Sequence, residues 1–387
     1  MKSLMVDLHN KLLSTITRET SGRQFFPVID GLRFVAILGV VLYHIQDYFF
    51  TKTGEQNTSL FLVPLLKGGY LGVQLFFAIS GFMISLPFLQ GYSPNFFQYI
   101  KRRLLRLGLP YIINLLIIYT LLVLVLKQDF YELLPHFFAS VAYMHNIIYG
   151  SMSKINFVAW SLEVEFQFYL IAPIFLIALT KINNKIRKFV LLFLLVLGGI
   201  SASGYISYPW IKGATIIHNF GFFIAGILAA NIFVFDWKTS VKQSYFWDLI
   251  CIILVSFLFF PLHSRTLLMG LDEKLYLPIL TYIILISVLK SKLINSALSQ
   301  PYIYLIGGMC YSIYLYHFYV ISLVGRVLLP LVESLPVWLQ FTIVVVVMLP
   351  TILLASVLFF IFFEKPFMKR KTNVAITKDR TDEKPCI

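Results

Sequence analysis

Charge is scarce in this chain of 387 residues: Asp, Glu, Lys and Arg make up 13%, against 59% hydrophobic residues. A soluble domain could not bury that much apolar surface, whereas a bilayer accepts it directly. Acids are the scarcer sign, 18 against 32 Lys and Arg, for a net charge of +14. In a chain this apolar, the basic excess is explained by membrane orientation and anionic headgroups, and no nucleic-acid partner is expected. Cysteine is rarer still. Cys251 and Cys310 lie in apolar stretches and Cys386 in the polar tail, without metal-like spacing, so neither a disulfide framework nor a metal site is expected. Residues 1–27 hold no apolar core, and no small-residue cleavage site follows Val28, so the first span reads as a retained signal-anchor. No internal repeat and no appended soluble domain is evident.

What is there is a series of apolar segments. Spans are expected at about 28–50, 70–89, 101–126, 157–179, 189–205, 215–235, 246–262, 275–289, 302–329 and 338–363. The third is opened by the basic run Lys101–Arg106. The stretch 135–149 is short and carries His136 and His145, which suits an interfacial or re-entrant piece. Positive charge decides between the two counts. With 135–149 outside the tally and the N-terminus inside, 23 of the Lys and Arg fall on inner segments, eight on outer loops, and Arg33 within the first span. Counting 135–149 as a span would put Lys181–Lys188 outside and weaken that bias. The expected architecture is therefore an all-α polytopic bundle of ten membrane helices with both termini cytoplasmic. A cytoplasmic segment (1–27), a transmembrane domain (28–367) and a charged tail (368–387) make up its divisions.

The first span carries three awkward residues, Asp30, Arg33 and His44. Ionisable groups within hydrocarbon are costly and usually functional. Arg33 and His44 are eleven residues apart, which places them within roughly 20° on one helix face and about 16 Å apart along the axis. A guanidinium suits a phosphate or a developing oxyanion. An imidazole can take a proton near neutral pH, as a general base acting on a hydroxyl must. Arg102 or Arg103 shares a face with Arg106, giving a small cationic patch at the inner mouth that suits a polyphosphate. As a bare run these arginines read equally well as a topological stop. In Trp160–Tyr169, Glu163 and Glu165 are about 200° apart, so at most one of them faces an interior site. An interfacial belt accounts well for Glu163 and less well for Glu165. His317 is poised inside the ninth span, and Gly72–Phe82, including Ser80, reads as small-residue packing. Asn57-Thr58-Ser59 matches a glycosylation sequon on an outer loop, and His9, His136, His145, His218 and His263 receive no role.

Taken together, these segments resemble the acyltransferase 3 family of multipass O-acyltransferases. The matching pieces run in family order: Ile29-Asp30-Gly31-Leu32-Arg33 through His44, Gly72–Phe82, Arg102-Arg103-x2-Arg106, Trp160–Tyr169, Tyr311–His317 and Glu364-Lys365-Pro366-Phe367. The chain departs from the family pattern at Gln74, where an acid is common, and at Pro110, which follows Arg106 by four residues where three is frequent. The resemblance implies transfer of an acyl group, acetyl in the first instance, from acyl-CoA on the cytoplasmic side to a hydroxyl of a surface polysaccharide, glycolipid or lipid-linked sugar. It puts His44 and Glu165 in catalytic roles and Arg33, Arg102, Arg103 and Arg106 at the donor. Asp30, Ser80, Trp160 and His317 are candidate supporting residues. Acyl-CoA would be a co-substrate, with no permanently bound cofactor, and the setting a bacterial cytoplasmic membrane, with its lipids as further partners. The hydrolase-like domain fused to some relatives is not seen, so no relay to it is expected. A transporter or flippase using His44, Glu165 and His317 as a proton path is the alternative.

Overall fold

A computed structural model describes residues 25–54, 66–92, 94–204, 214–237, 241–259 and 273–368. The N-terminal segment before Phe25, the Asn57 sequon and the tail from Lys369 lie outside the described residues. Among the described residues the fold is helical, with one isolated bridge between Ser244 and Ser291. Helix α1, Pro27–Thr53, opens on a proline, whose missing N–H costs nothing in a first turn, and ends at Gly54 with φ 69°. A tight turn at Gly68–Leu71 leads into α2, Gly72–Leu89. Asn95 caps α3, Phe96–Arg103, which continues through a wide π turn at Leu104–Gly108 into α4, Leu109–Leu124. Next come the short helices α5, Phe130–Val141, and α6, His145–Tyr149, then α7, Trp160–Thr180. They are followed by α8, Asn184–Ser203, α9, Ile216–Phe235, α10, Tyr245–Phe259, and α11, Glu273–Lys290. The chain closes with α12, Leu293–Leu298, α13, Pro301–Gly308, α14, Cys310–Val332, and α15, Val337–Phe359. A second π turn at Phe360–Glu364 and the single turn α16, Lys365–Met368, complete it.

Among the described residues eight helical runs are long and apolar enough to cross a membrane, so the protein is a multipass helical bundle. The other two expected spans fall on α10, of 15 residues, and α11, whose 18 residues include Glu273, Lys274 and Lys290. The 135–149 stretch does not cross. It forms α5 and α6, of 12 and 5 residues, turned at Tyr143 with φ 58°. Three boundaries differ from expectation. The third span starts at the Asn95 cap, which puts Lys101 inside the helix and not at its opening. Asn183 likewise caps α8 early, so Lys185–Lys188 are helical. The ninth span is not continuous: it breaks at Met309 into α13 and α14.

Close backbone contact explains how α1 comes to lie in the middle of the bundle. A Cβ on Gly307 would stand 1.7 Å from the Asp30 carbonyl oxygen, and one on Gly72 2.2 Å from that of Ala36. Small residues let helices approach where no water is available to drive association. The break at Met309 frees α13 to take its own angle against the start of α1. On the other side, α2 and α9 lock together through Gly81 on the Phe223 carbonyl and Gly226 on that of Ala78. The Phe223 ring stacks on Phe168 at 4.1 Å, tying α7 into the same core. Helices α1 and α7 are thereby both fixed against α2.

Candidate active site

Glu165 of α7 is the hub of the cationic end. Its Oε1 accepts from the Ser80 hydroxyl of α2 and the Tyr169 hydroxyl one turn along its own helix. Arg103 lies over the Tyr169 ring at 5.1 Å and the Tyr99 ring at 5.5 Å, cation–π contacts that hold a charge without neutralising it. Arg33 is paired with Asp30 one turn before it and is within electrostatic reach of Glu165. Arg33 and Arg103 are thus both linked to Glu165, one through its charge and the other through Tyr169. Arg102 is not: its Nε donates to the Gln98 carbonyl at 3.1 Å on the exposed side of α3. Arg106 sits half-buried in the π turn. That turn answers to Pro110, which has no N–H for the Arg106 carbonyl; instead Leu109 N–H reaches back to Leu104. Tyr99 and Tyr169 were not singled out from sequence, although Tyr169 stands at i+4 from Glu165, the spacing at which helical side chains meet.

His44 occupies the other end, half-buried. Its ring lies 5.2 Å from that of His317, with Phe157 and Phe318 each 5.8 Å away, edge-on. His317 is fully buried. Its Nδ1 is 2.8 Å from the Tyr314 carbonyl and 3.1 Å from that of Ile313, and carbonyls only accept, so Nδ1 carries the proton. Glu165 does not join this group. It follows Phe157, in the 3-10 turn that leads into α7, by eight residues, on the order of 12 Å of helical rise. The 3-10 turn Phe157–Ala159 thus meets His44, while α7 itself sets Glu165 within electrostatic reach of Arg33. Trp160 packs edge-on against Phe77 at 6.3 Å.

Glu163 departs from the interfacial reading. It is fully buried, and its Oε2 accepts from the Asn146 backbone N–H at 2.9 Å and side-chain amide at 3.0 Å. It thus anchors α6 against α7. Glu163→Ala should remove two charge-assisted bonds and destabilise the fold by about 3 kcal/mol, read as a lower melting temperature and faster proteolysis between α5 and α7. Above this anchor, His136 Nδ1 meets His145 Nε2 at 2.8 Å, and His145 Nδ1 donates to the Ser151 carbonyl at 3.1 Å. Burial, followed for His136 by the nearby Lys154, holds both imidazoles below the usual value near 6.5. A lowered folded value means the unfolded chain binds protons first as pH falls. The α5–α6 hairpin should therefore be fully protected above about pH 6.5 and lose protection below it, as hydrogen exchange at pH 7.5 and 5 would register.

The profile of the acyltransferase 3 family, described as an acyltransferase domain, matches residues 26–360. The chain belongs to that family. It is 30% identical over 377 residues to a protein of Staphylococcus aureus strain COL provisionally named an O-acetyltransferase, covering 89% of this chain and 58% of the relative. It is also 26% identical over 333 residues to the O-acetyltransferase OatA of Staphylococcus aureus strain NCTC 8325 / PS 47, covering 78% of this chain and 51% of that protein. The chain thus spans between half and three-fifths of the length of these relatives. No solved structure matches it.

Proposed function

We propose that the protein is a membrane O-acyltransferase that moves an acetyl group from acyl-CoA, entering at the cytoplasmic face, to a hydroxyl of a cell-surface glycan or lipid-linked sugar. Both termini are cytoplasmic on this reading, as the basic inner segments favour. The observation that carries it is the two-ended interior face. Arg33 and Arg103 gather around Glu165 at one end, and a reachable imidazole stands about 16 Å away at the other. Guanidinium groups suit the diphosphate of CoA, and the separation suits an extended pantetheine arm laid along α1. His44 would act on the acceptor hydroxyl or on the thioester. Glu165, bonded among the cations and away from His44, fits a role in holding the donor site and not the acceptor proton. The names of the relatives favour acetyl as the group moved.

A proton path through His44, Glu165 and His317 is less well supported, since Glu165 lies eight residues, on the order of 12 Å of helical rise, beyond Phe157, whose ring packs against His44. The test supplies radiolabelled acetyl-CoA to the cytoplasmic side of membranes with and without the protein. Label covalently attached to envelope glycan or glycolipid supports transfer. Accumulation of unmodified solute with no covalent label would replace transferase by transporter.

A further inference from the structure

We propose that His317 is the positioning partner of His44, its Nε2 accepting the His44 N–H so that the other nitrogen of His44 faces the reacting group with a free lone pair. This deepens the O-acyltransferase reading and rests on it. Three observations carry it. First, the tautomer of His317 is fixed by its fold position. Nδ1–H is committed to the Tyr314 and Ile313 carbonyls, so Nε2 is the acceptor of the neutral ring. Second, that Nε2 is buried and has no hydrogen-bond partner among the described residues, on a side chain with 0% exposure. Buried acceptors are rarely left so, and one that is calls for a donor. Third, the separation matches such a bond. The rings of His44 and His317 are 5.2 Å apart and tilted by 41°. The molecule supplies its own reference: His136 and His145 are 5.0 Å apart, tilted by 33°, with their nitrogens 2.8 Å from one another. A small rotation of the half-buried His44 ring would close the same bond, while the buried His317 ring stays anchored.

The chemical consequence follows from the two ring nitrogens being unlike. A neutral imidazole has one N–H and one lone pair, and only the lone pair can take a proton or attack a carbonyl carbon. Without a fixed acceptor at its back, His44 would divide its time between tautomers. With His317 behind it, the nitrogen facing the reacting group stays unprotonated. In the transfer step, that nitrogen takes the proton of the acceptor hydroxyl as the oxygen bonds to the acyl carbon. The carbon–sulfur bond breaks, CoA leaves as a thiolate, and the proton returns from His44 to sulfur. His317 gains no proton overall. It stabilises the imidazolium by accepting its other N–H.

Two substitutions separate this role from a structural one. Asparagine places a donor where Nδ1 stands, so His317→Asn keeps the bonds to the backbone carbonyls and loses the acceptor toward His44. Glutamine places an amide oxygen near the Nε2 position, so His317→Gln restores the acceptor. In detergent-purified full-length protein assayed with acetyl-CoA and acceptor glycan, kcat of His317→Asn should fall about 100-fold, with KM for acetyl-CoA within twofold of the original. His317→Gln should recover at least tenfold of that loss. In a His44→Ala background, adding His317→Asn should lower the residual rate no further, which reads coupling even if either single variant is less stable. The proposal is overturned if His317→Asn retains kcat within threefold, if glutamine is as slow as asparagine in a folded protein, or if the losses multiply in the double variant. Original protein that binds acetyl-CoA but transfers nothing would instead overturn the transferase reading itself, and this assignment with it.

Discussion

His44→Ala is expected to lower acyl transfer about a thousandfold while leaving acyl-CoA affinity within a few-fold. General base catalysis contributes roughly 10²–10⁴-fold, and the site offers little to replace it. The rings closest to His44 besides His317 are Phe157, Phe318 and Tyr43, two of which have no titratable group. The cationic end around Glu165 does not include these rings, so removing the imidazole should leave it undisturbed. Purified variant, checked for intact helix content and CoA binding, would be assayed in single turnover with labelled acetyl-CoA. Transfer at the original rate would remove His44 from the chemistry.

Arg33→Ala should produce the second large effect, and of the opposite kind: KM for acyl-CoA raised by about 100-fold, with a smaller change in kcat. A lost charge-assisted contact accounts for about 1.5–3 kcal/mol. Breaking the ion pair also withdraws from the buried Asp30 the guanidinium bonded to it, and losing one partner of such a pair costs about 3–5 kcal/mol. The two contributions can be separated. Asp30→Asn combined with Arg33→Ala should recover much of the stability but none of the donor affinity. Arg33→Lys should recover only part of the affinity, because an ammonium lacks the planar fork that matches a phosphate. Unchanged CoA binding in the alanine variant would move the donor elsewhere.

How far the sequence could be read depends on the kind of residue. The apolar segments announce themselves by composition, and eight of the ten lie on runs long and apolar enough to cross. The shared face of Arg33 and His44 was legible because helix geometry is regular; their partners were not, because they come from other helices. Glu165 illustrates the difference. Its motif marks it as significant, but only the packing of α7 against α2 shows that its carboxylate meets Ser80 and not His44. Glu163 looked like an exposed interfacial acid since nothing local reveals that Asn146 folds back onto it. The break at Met309 was hidden for the same reason. Residues 302–329 are predominantly apolar with no proline to mark an interruption, and the break coincides with the close seat that Gly307 finds on α1.

The π turn at Leu104–Gly108 accommodates Pro110 four residues after Arg106. A turn closed by Leu109 N–H on the Leu104 carbonyl holds one residue more than an α turn, and the helices on either side keep their facing. The extra residue between Arg106 and Pro110 is thus absorbed locally. Elsewhere in a membrane helix, inserting or deleting one residue rotates everything beyond it by about 100°. Here the wide turn acts as an expansion joint, so α3 and α4 can differ by one residue in length without turning Arg103 away from Tyr169.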